Sequence, residues 1–291
     1  MLQGILAGLA AGALWGLVFV APRMVGGYSS VDLTAGRFVA YGAVAAFVML
    51  VTRGRPLPTA SQALASFGMS LLGFTGYYLL LVLAIRDAGT EVPSLVIGTI
   101  PIWVMLLGKP AHLSWKALVP GLLLTAAGLA LMISSPHAEG ANVLRGVLLA
   151  VASLVCWTAF ALLNSKWLKK HPEVNATDWA NWLGIATGLG AIVLWAVAGS
   201  PARELVSREG RGLFALLCIG TGFGAAWLAT ILWNIASRRL SASLCGQLIV
   251  SETLFALAYS FAWDGRWPTP AQGAACVLFT LGILASIRAH R

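Results

Sequence analysis

Long apolar runs separated by short polar segments recur ten times along this chain of 291 residues. The runs cover residues 4–22, 31–52, 62–84, 89–108, 115–134, 144–165, 178–198, 212–236, 241–262 and 269–288. A helix of about 20 apolar residues crosses the roughly 30 Å hydrocarbon core of a bilayer, so each run is long enough to span a membrane. The alternating residues of an outer-membrane barrel are missing from the sequence. The pattern therefore predicts an all-α membrane protein with ten transmembrane helices embedded in the lipid bilayer.

The second half of the chain repeats features of the first half at a slowly drifting shift. The shift is 142 residues between the first and sixth runs, 146 residues between Asp32 and Asp178, and 152 residues between the fourth and ninth runs. Shared hydrophobic bias is one explanation. The other, which we favour, is a duplication into two five-helix repeats, residues 1–136 and 137–291. Because five is odd, the second repeat is then inverted in the membrane, as in secondary transporters with a central cavity.

Composition and charge agree with a membrane protein. The chain is 59% hydrophobic and 10% charged, with a mean hydropathy of +0.84, which is unlike a soluble domain. The net charge of +9 does not indicate a nucleic-acid partner here, because Lys and Arg in short loops set the orientation of membrane helices. With both termini cytoplasmic, eleven of the 19 basic residues fall on the cytoplasmic side: Arg53, Arg55, Lys109, Lys116, Lys166, Lys169, Lys170, Arg238, Arg239, Arg288 and Arg291. We therefore expect this orientation.

The fourth and ninth runs carry groups that a plain lipid anchor would avoid. Pro101 has no N–H to donate and disturbs a helix at a depth where no water can repair it. Glu252 places an acid near the bilayer centre, at a cost of about 3 kcal/mol on insertion scales. Disturbed helices at corresponding positions of two halves indicate the binding site of a transporter.

Polar side chains inside the runs are few and contribute to a candidate substrate site. Ser94 and Thr99 lie in the fourth run, while Gln247 and Ser251 follow one face of the ninth. We expect such groups to face the bundle interior or a wet cavity. For Glu252 three roles stay open: proton coupling, contact with an amine, or a structural carboxyl group bonded between helices.

Aromatic residues near the middle of the runs are the other part of this site. Tyr77 and Tyr78 lie in the third run, and Trp15, Trp157 and Trp227 lie near the middle of theirs. A buried tyrosine hydroxyl needs a partner or water, and an aromatic cavity suits a substrate with an apolar body. Ordinary core packing is the alternative for each ring.

Two further features predict how the helices pack. Gly4, Gly8, Gly12 and Gly16 recur every fourth residue in the first run, which favours close helix packing over a gating role.

The fifth and tenth runs carry almost no polar side chains in their centres. We expect them to face lipid or a second copy of the chain in a homodimer.

Sequence motifs argue against an enzyme. No G-x-x-x-x-G-K, H-E-x-x-H or G-x-S-x-G segment occurs, and the four cysteines lie within the runs at unrelated spacings. All four histidines fall in loops or at the C-terminal end, so a proton relay through intramembrane histidine is excluded. We expect no cofactor, no metal and no catalytic residue.

Several short segments resemble the drug/metabolite transporter superfamily and its EamA-type repeat. They are the Arg37–Phe38 pair, the Ala- and Ser-rich turn before the fourth and ninth runs, and Thr99–Pro101. In many second repeats of that family the counterpart of Thr99–Pro101 reads Glu-Pro, whereas here Thr253 follows Glu252, which puts a matching kink in doubt.

The chain is most similar to YddG-type exporters of aromatic and other amino acids. The resemblance implies a bacterial inner-membrane protein with a central cavity lined by runs one to four and six to nine, and efflux by alternating access. We therefore predict a secondary transporter of small amphipathic metabolites, with amino acids first. A multidrug or organic-cation carrier, and a channel or structural protein, are the alternatives. The candidate substrate site comprises Tyr77, Tyr78, Ser94, Thr99, Pro101, Trp157, Trp227, Gln247 and Ser251, with Glu252 as the candidate coupling group.

Overall fold

The computed structural model describes residues 1–25, 27–52, 54–88, 91–132, 142–265 and 267–291. This described part is all-helical, with 84% helix and no strand. The fold class is thus confirmed at the level of an all-α membrane protein. The predicted repeat boundary at residues 136 and 137, the start of the fourth run at residues 89–90, and Arg53 lie outside the described residues.

The described helices follow the predicted runs closely. In the first half they are α1 (Leu2–Gly16), α2 (Ala21–Met24), α3 (Ser30–Val51), α4 (Ala60–Gly73), α5 (Thr75–Ala88), α6 (Glu91–Gly98), α7 (Ile100–Leu107) and α8 (Trp115–Met132). In the second half they are α9 (Val143–Lys170), α10 (Ala176–Ala198), α11 (Ala202–Ser207), α12 (Arg211–Thr221), α13 (Ala229–Arg239), α14 (Ala242–Asp264) and α15 (Pro270–Ala289). Seven helical segments of the described chain are long and apolar enough to cross a membrane, and Leu2–Gly16, Val96–Leu107 and Trp115–Leu131 are shorter apolar helices.

The third, fourth and eighth runs are interrupted near their middles. The third breaks at Phe74, between α4 and α5, and the fourth breaks at Thr99, between α6 and α7. In the eighth run, a π-helix over Gly222–Leu228 joins α12 to α13. Such π-helical segments are often found at functional sites.

Proline placement explains one of these breaks and the lack of another. Pro101 lies in the first turn of α7, where the missing N–H removes no helical hydrogen bond. The ninth run has Thr253 instead of proline after Glu252, and α14 passes through this point without interruption. The kink predicted for the fourth run is therefore present as a complete break, and the ninth run has no counterpart.

Helix packing follows a small number of long pairings. α3 packs along α10, α8 along α15, α5 along α9, and α7 along α14. α1 lies between α13 and α14, while α9 also contacts α6 and α7. The main buried core joins apolar side chains of α1, α7, α9, α13, α14 and α15. The fifth and tenth runs, α8 and α15, pack on each other, and α15 also contributes side chains to this core.

The glycine stripe of α1 lies against α14. A methyl group added at Gly8 would come within 2.7 Å of a Leu248 methyl carbon, and one added at Gly16 would lie 2.9 Å from the Ala256 nitrogen. Gly12 is packed directly against the Ser251 hydroxyl. The structure therefore agrees with the packing interpretation of this stripe, because Gly8, Gly12 and Gly16 let the two helices approach more closely.

Candidate functional site

A chain of aromatic rings crosses the bundle from α3 to α1. Successive ring centroids lie 5.9 Å apart for Phe38 and Phe74, 5.5 Å for Phe74 and Phe160, 6.0 Å for Phe160 and Trp157, 6.3 Å for Trp157 and Trp233, and 5.3 Å for Trp233 and Trp15. The rings meet edge-on or tilted, which are the favourable arrangements for aromatic pairs. The ring of Phe160 lies directly on Gly73, the residue before the break at Phe74. A side chain at Gly73 would push the two rings apart.

A charged group lies at the α3 end of the aromatic chain. The Arg37 guanidinium carbon lies 4.8 Å from the centre of the Phe38 ring, within range of a cation–π interaction. Tyr78 meets the same ring edge-on, with centroids 6.3 Å apart. Arg37 therefore presents its charge where the aromatic chain begins.

Four polar side chains from three helices interact electrostatically at this place. They are Arg37 of α3, Tyr77 and Tyr78 of α5, and Glu252 of α14. Protein surrounds each of them, yet each retains some accessible surface. The fold thus brings together Tyr77, Tyr78 and Glu252 of the predicted site with Arg37. We call these four residues the Arg37–Glu252 group.

The two charges of this group have few direct protein partners. The Arg37 Nε atom is buried and makes no hydrogen bond. Within the described chain, no hydrogen bond and no ion pair within 4.0 Å involves the Glu252 carboxylate. Charged groups at membrane depth are costly unless paired or solvated, so this arrangement is suited to binding a polar or charged molecule.

Gln247 lies elsewhere, between α14, α8 and α15. Its side chain is fully buried, its Nε2 donates to Thr125 Oγ1 at 3.0 Å, and its Oε1 accepts from Ser286 Oγ at 3.1 Å. These bonds tie the two outer helices to α14. The structure therefore does not bring Gln247 to the Arg37–Glu252 group.

Ser251 and Thr99 have local partners. The Ser251 hydroxyl donates to the Leu248 carbonyl at 2.7 Å and packs on Gly12, so it belongs to the α1–α14 contact. Thr99 Oγ1 donates to the Val96 carbonyl at 2.7 Å and accepts from Trp103 Nε1 at 3.2 Å. Both hydroxyls therefore make hydrogen bonds within their own helical segments.

The fourth run contains two more residues of the predicted site, Pro101 and Ser94. Pro101 is buried at the start of α7, where its role is to begin the helix. The backbone of Ser94 belongs to α6, and its side chain lies outside what the structure describes.

The two predicted tryptophans have different surroundings. Trp157 belongs to the aromatic chain and is half-buried. Trp227 lies on the π-helix, where its Nε1 donates to Asn181 Oδ1 of α10 at 2.8 Å. The π-helix thus fixes the ring of Trp227 against α10 rather than within the aromatic chain.

Several residues of this region were not singled out as site candidates from the sequence. Phe74, Phe160 and Trp233 complete the aromatic chain, and Arg37 was named from the sequence only as part of the Arg37–Phe38 pair. A signal was available for Phe160, which follows Trp157 by three residues and so shares its helix face. For Phe74 and Trp233 no such local signal exists.

One end of the bundle contains a buried amide network. Trp179 Nε1 donates to Asn164 Oδ1 at 2.7 Å, Asn164 Nδ2 donates to Asn234 Oδ1 at 3.2 Å, and Asn234 donates to the Ala176 carbonyl at 3.3 Å. In addition, Lys169 Nζ donates to the Leu240 carbonyl at 2.6 Å. These bonds tie α9, α10 and α13 together at the end that the charge pattern predicts to be cytoplasmic.

Two hollows of the described part lie away from the Arg37–Glu252 group. One of about 440 Å³ is lined by Pro172, Ala176, Ile235, Arg238 and Arg239. The other, of about 470 Å³, is an apolar groove between α3, α4 and α10. Neither contains a residue of the predicted substrate site.

Comparison with known proteins agrees with this architecture. A model of the EamA-like transporter family matches residues 2–134 and 144–288. The chain is similar to the inner membrane protein YtfF of Escherichia coli (strain K12), at 29% identity over 308 residues that cover 99% of this chain and 96% of YtfF. One solved structure, described as a crystal structure of a protein, matches with a TM-score of 0.78 at 22% identity over 99% of each chain. This last likeness shows the fold alone.

Proposed function

Because this chain belongs to the EamA-like transporter family of the drug/metabolite transporter superfamily, we propose that it exports small amphipathic metabolites by alternating access. Amino acids, aromatic ones first, are the proposed substrates, as the resemblance to YddG-type exporters implies. Members of the family are transporters and not enzymes. Since YtfF is an inner membrane protein, we also propose that the bacterial inner membrane is the site of action.

The helix pairings support an inverted repeat of five plus five helices. When each run is exchanged for the run five places later, the pairings α3–α10, α8–α15 and α7–α14 map onto themselves. The pairing of α5 with α9 maps onto that of α13 with α1, and the pairing of α7 with α9 maps onto that of α14 with α1. A bundle with twofold pseudosymmetry has this property.

The α3–α10 pair supports inversion directly. Asp32, near the start of α3, accepts hydrogen bonds from the Ser200 nitrogen and hydroxyl at 2.7 Å, just beyond the end of α10. Asp178, near the start of α10, pairs with Arg55, just beyond the end of α3. The two helices are therefore antiparallel, although they occupy corresponding places in the proposed repeats.

The proposed repeats are residues 1–136 and 137–291, and the two segments that match the family model fall on either side of this boundary. The interrupted third and eighth runs also correspond under the exchange, since Phe74 and the π-helix occupy similar places in the two halves. We propose these two points as the flexible joints of the transport cycle, because non-α segments within helices are common at moving parts.

We propose that both termini are cytoplasmic, as the charge pattern predicts. Single cysteines in place of Thr59 and Glu209 on a cysteine-free background test this orientation. A membrane-impermeant thiol reagent added to intact cells should label the cysteine at position 209 and leave the one at position 59 unlabelled. The reverse labelling pattern would show that both termini lie on the outer side of the membrane.

The observation that carries the substrate proposal is the Arg37–Glu252 group. It combines two opposite charges with two tyrosines at the end of an aromatic chain, and each member keeps accessible surface. Small-molecule sites have this composition, with an apolar lining and a few convergent polar groups. An amphipathic metabolite with a polar end and an apolar body matches it.

An organic-cation carrier is the second candidate, because Glu252 and the nearby rings could attract a cation. The positive charge of Arg37 within electrostatic range works against this candidate. Counterflow in proteoliposomes distinguishes the two. For the proposed exporter, internal unlabelled amino acid should drive uptake of labelled amino acid, and a dye or toxic cation should not compete.

The same experiment tests the proposal against a channel or a structural protein. A channel would show no stimulation by solute on the opposite side, and a structural protein would show no flux above empty liposomes. Either result with correctly inserted protein would overturn the carrier proposal.

We propose in addition that α8 and α15 form the face for a homodimer. Apolar side chains on their outer surfaces are exposed, among them Leu123 of α8 and Leu281 and Leu284 of α15. Cysteines introduced at positions 123 and 284 should form intermolecular disulfides in native membranes if this face is a dimer interface. Crosslinking that does not exceed that of Leu189→Cys, at an exposed position of α10, would contradict it.

A further inference from the structure

The apolar groove between α3, α4 and α10 opens on the outside of the bundle. Its volume of about 470 Å³ is within the range of small-molecule pockets. Each of the three helices lines it with side chains three or four positions apart, and the α10 stripe consists of Trp182, Ile185, Ala186 and Leu189. Leu50 and Leu189 at its rim are exposed. In a chain that spans a membrane, such an opening faces lipid.

One polar group of this groove has no partner within the described part of the protein. Trp182 is only 3% exposed, and its Nε1 atom makes no hydrogen bond. The other polar side chain that lines the groove, Ser66, donates to the Ala63 carbonyl at 2.8 Å. An N–H group at membrane depth costs free energy unless it finds an acceptor. A molecule bound in the groove is therefore suited to supply the acceptor for Trp182.

A charged pair lies at one end of the same groove. Asp178 is one turn before Trp182 on α10, so it continues the face that carries the lining stripe. Arg55, two residues before the lining residue Leu57, binds Asp178 through Nη1, and its Nε atom is buried without a hydrogen bond. The groove thus has a second donor without a partner, at the end that the charge pattern predicts to be cytoplasmic.

The two donors are spaced like the polar groups of a phospholipid. Trp182 follows Asp178 by about 6 Å along α10, and helix side chains lean towards the N-terminus, which brings the ring back towards the charged pair. In a glycerophospholipid the ester carbonyls lie between the phosphate and the hydrocarbon chains. A lipid whose phosphate lies beside Arg55 therefore has an ester carbonyl near Trp182 and an acyl chain along the apolar stripe.

We propose that the groove between α3, α4 and α10 is a binding site for one glycerophospholipid of the adjacent leaflet. An ester carbonyl accepts from Trp182 Nε1, a phosphate oxygen accepts from Arg55 Nε, and one acyl chain fills the groove. In the proposed orientation this is the cytoplasmic leaflet. No lining residue of the groove belongs to the predicted substrate site, so the proposal goes beyond the transport function and does not depend on it.

Three lipids with chains of equal length separate these contacts. Dioleoyl phosphatidylglycerol carries both the phosphate and the ester carbonyls, its diether analogue keeps the phosphate without the carbonyls, and dioleoylglycerol keeps the carbonyls without the phosphate. Each lipid is added to purified, delipidated full-length protein in detergent. Native mass spectrometry then gives the bound fraction at each lipid concentration, and hence the Kd.

Wild-type protein should bind the diester about 2- to 10-fold more tightly than the diether, the effect of one hydrogen bond between neutral groups. It should bind the diester about 10- to 100-fold more tightly than dioleoylglycerol, because the phosphate is a charged acceptor. Trp182→Phe should remove the first difference and keep the second. Arg55→Lys keeps a charge for Asp178 but lacks the Nε donor, so it should reduce the second difference and keep the first.

A steric variant tests the groove itself. Ala186→Phe places a ring in the groove and should weaken the binding of all three lipids about tenfold or more. Ala196→Phe makes the same change at an exposed position of α10 outside the groove, and Trp115→Phe removes an exposed indole at the same predicted end of the bundle. Both controls should keep the wild-type affinities.

Several results would overturn the proposal. They are a wild-type protein that binds diester and diether alike, a Trp182→Phe variant that keeps the ester preference, and a Trp115→Phe variant that loses it equally. Lipid that merely coats the apolar surface gives these results. If Trp182→Phe does not fold, the steric pair decides, since equal lipid affinities of Ala186→Phe and Ala196→Phe would show that the groove holds no lipid.

Discussion

Gly42 of α3 and Gly188 of α10 meet backbone to backbone. A methyl group added at Gly42 would lie 2.8 Å from the Gly188 Cα atom, and one added at Gly188 would lie 2.9 Å from the Gly42 Cα atom. The two residues are 146 positions apart, the same shift that relates Asp32 to Asp178. In the proposed repeat they are therefore equivalent residues in contact, which places this crossing at the pseudosymmetry axis.

Alanine at either position of this crossing should destabilise the protein. Because the added methyl group would meet backbone atoms, which cannot rotate away, we expect Gly42→Ala or Gly188→Ala to cost about 1–3 kcal/mol. Gly68→Ala and Gly220→Ala are matched controls, since a methyl group there meets nothing within 4 Å. Thermal unfolding in detergent should show a lower midpoint for the first pair only. Equal midpoints for all four variants would contradict the close crossing.

The contact between Gly12 and Ser251 should behave as a complementary pair. A methyl group at Gly12 would collide with the Ser251 hydroxyl, whereas the next atoms, the Glu252 nitrogen and the Ser251 carbonyl carbon, are 3.2 and 3.4 Å away. We therefore expect Gly12→Ala to lower the unfolding midpoint and Gly12→Ala/Ser251→Ala to recover most of the loss. A double variant that is no more stable than Gly12→Ala would show that the two residues do not interact as described.

The sequence predicts the helices well because each depends on local patterns. Apolar runs long enough to span, capping residues such as Ser29 and Asn175, and the glycine stripe of α1 are all visible in the chain. The neighbour that a polar side chain faces depends instead on how the helices are arranged in space, which local patterns do not record. α14 has neighbours on several sides, α1, α7 and α15, so a polar stripe on it does not reveal its partner.

Gln247 and Glu252 illustrate this limit. At about 100° per residue, Glu252 points about 140° away from Gln247 around α14. The first faces α8 and α15, and the second interacts with Arg37 of α3. The sequence pattern assigned both to one site because it records depth and polarity but not the direction of each neighbouring helix.

Gln247 should therefore contribute to stability and not to substrate selection. Gln247→Leu removes the hydrogen bonds to Thr125 and Ser286 and leaves their hydroxyls buried, so we expect a loss of about 1–3 kcal/mol. Amino-acid counterflow per folded protein, and its inhibition by competing solutes, should stay as in wild type. A changed pattern of inhibition would return Gln247 to the substrate site, as the sequence predicted.

The two acids at the helix starts should both stabilise the α3–α10 pair. Asp178 is buried and pairs with Arg55, and Asp32 is buried and accepts two hydrogen bonds from Ser200. Because each variant leaves partly buried donors without their charged acceptor, we expect Asp178→Ala and Asp32→Ala each to cost about 1–3 kcal/mol. Glu209→Ala, an exposed acid, is the control and should be within about 0.5 kcal/mol of wild type. Denaturation midpoints that are alike for all three would refute the role of these contacts.

The interrupted runs could be predicted only in part. Pro101 marks the break in the fourth run because proline cannot continue a helix without loss. The break at Phe74 has no proline, and it adjoins Gly73, which the Phe160 ring approaches closely. This contact joins residues far apart in the chain. No local pattern of the third run contains it.

The π-helix offers a test of the link between helix geometry and the Arg37–Glu252 group. A methyl group at Gly222 would lie 2.6 Å from the Ala40 Cβ atom and 2.8 Å from the Arg37 carbonyl oxygen, so Gly222→Ala should displace α3 beside Arg37. A methyl group at Gly224, in the same π-helix, meets only a Leu14 methyl carbon at 3.9 Å, an ordinary contact. We therefore expect Gly222→Ala to slow amino-acid counterflow about tenfold, which corresponds to a free-energy loss of roughly 1.4 kcal/mol. Gly224→Ala should match wild type. Equal rates for the two variants would show that the packing of the π-helix on α3 does not influence the site.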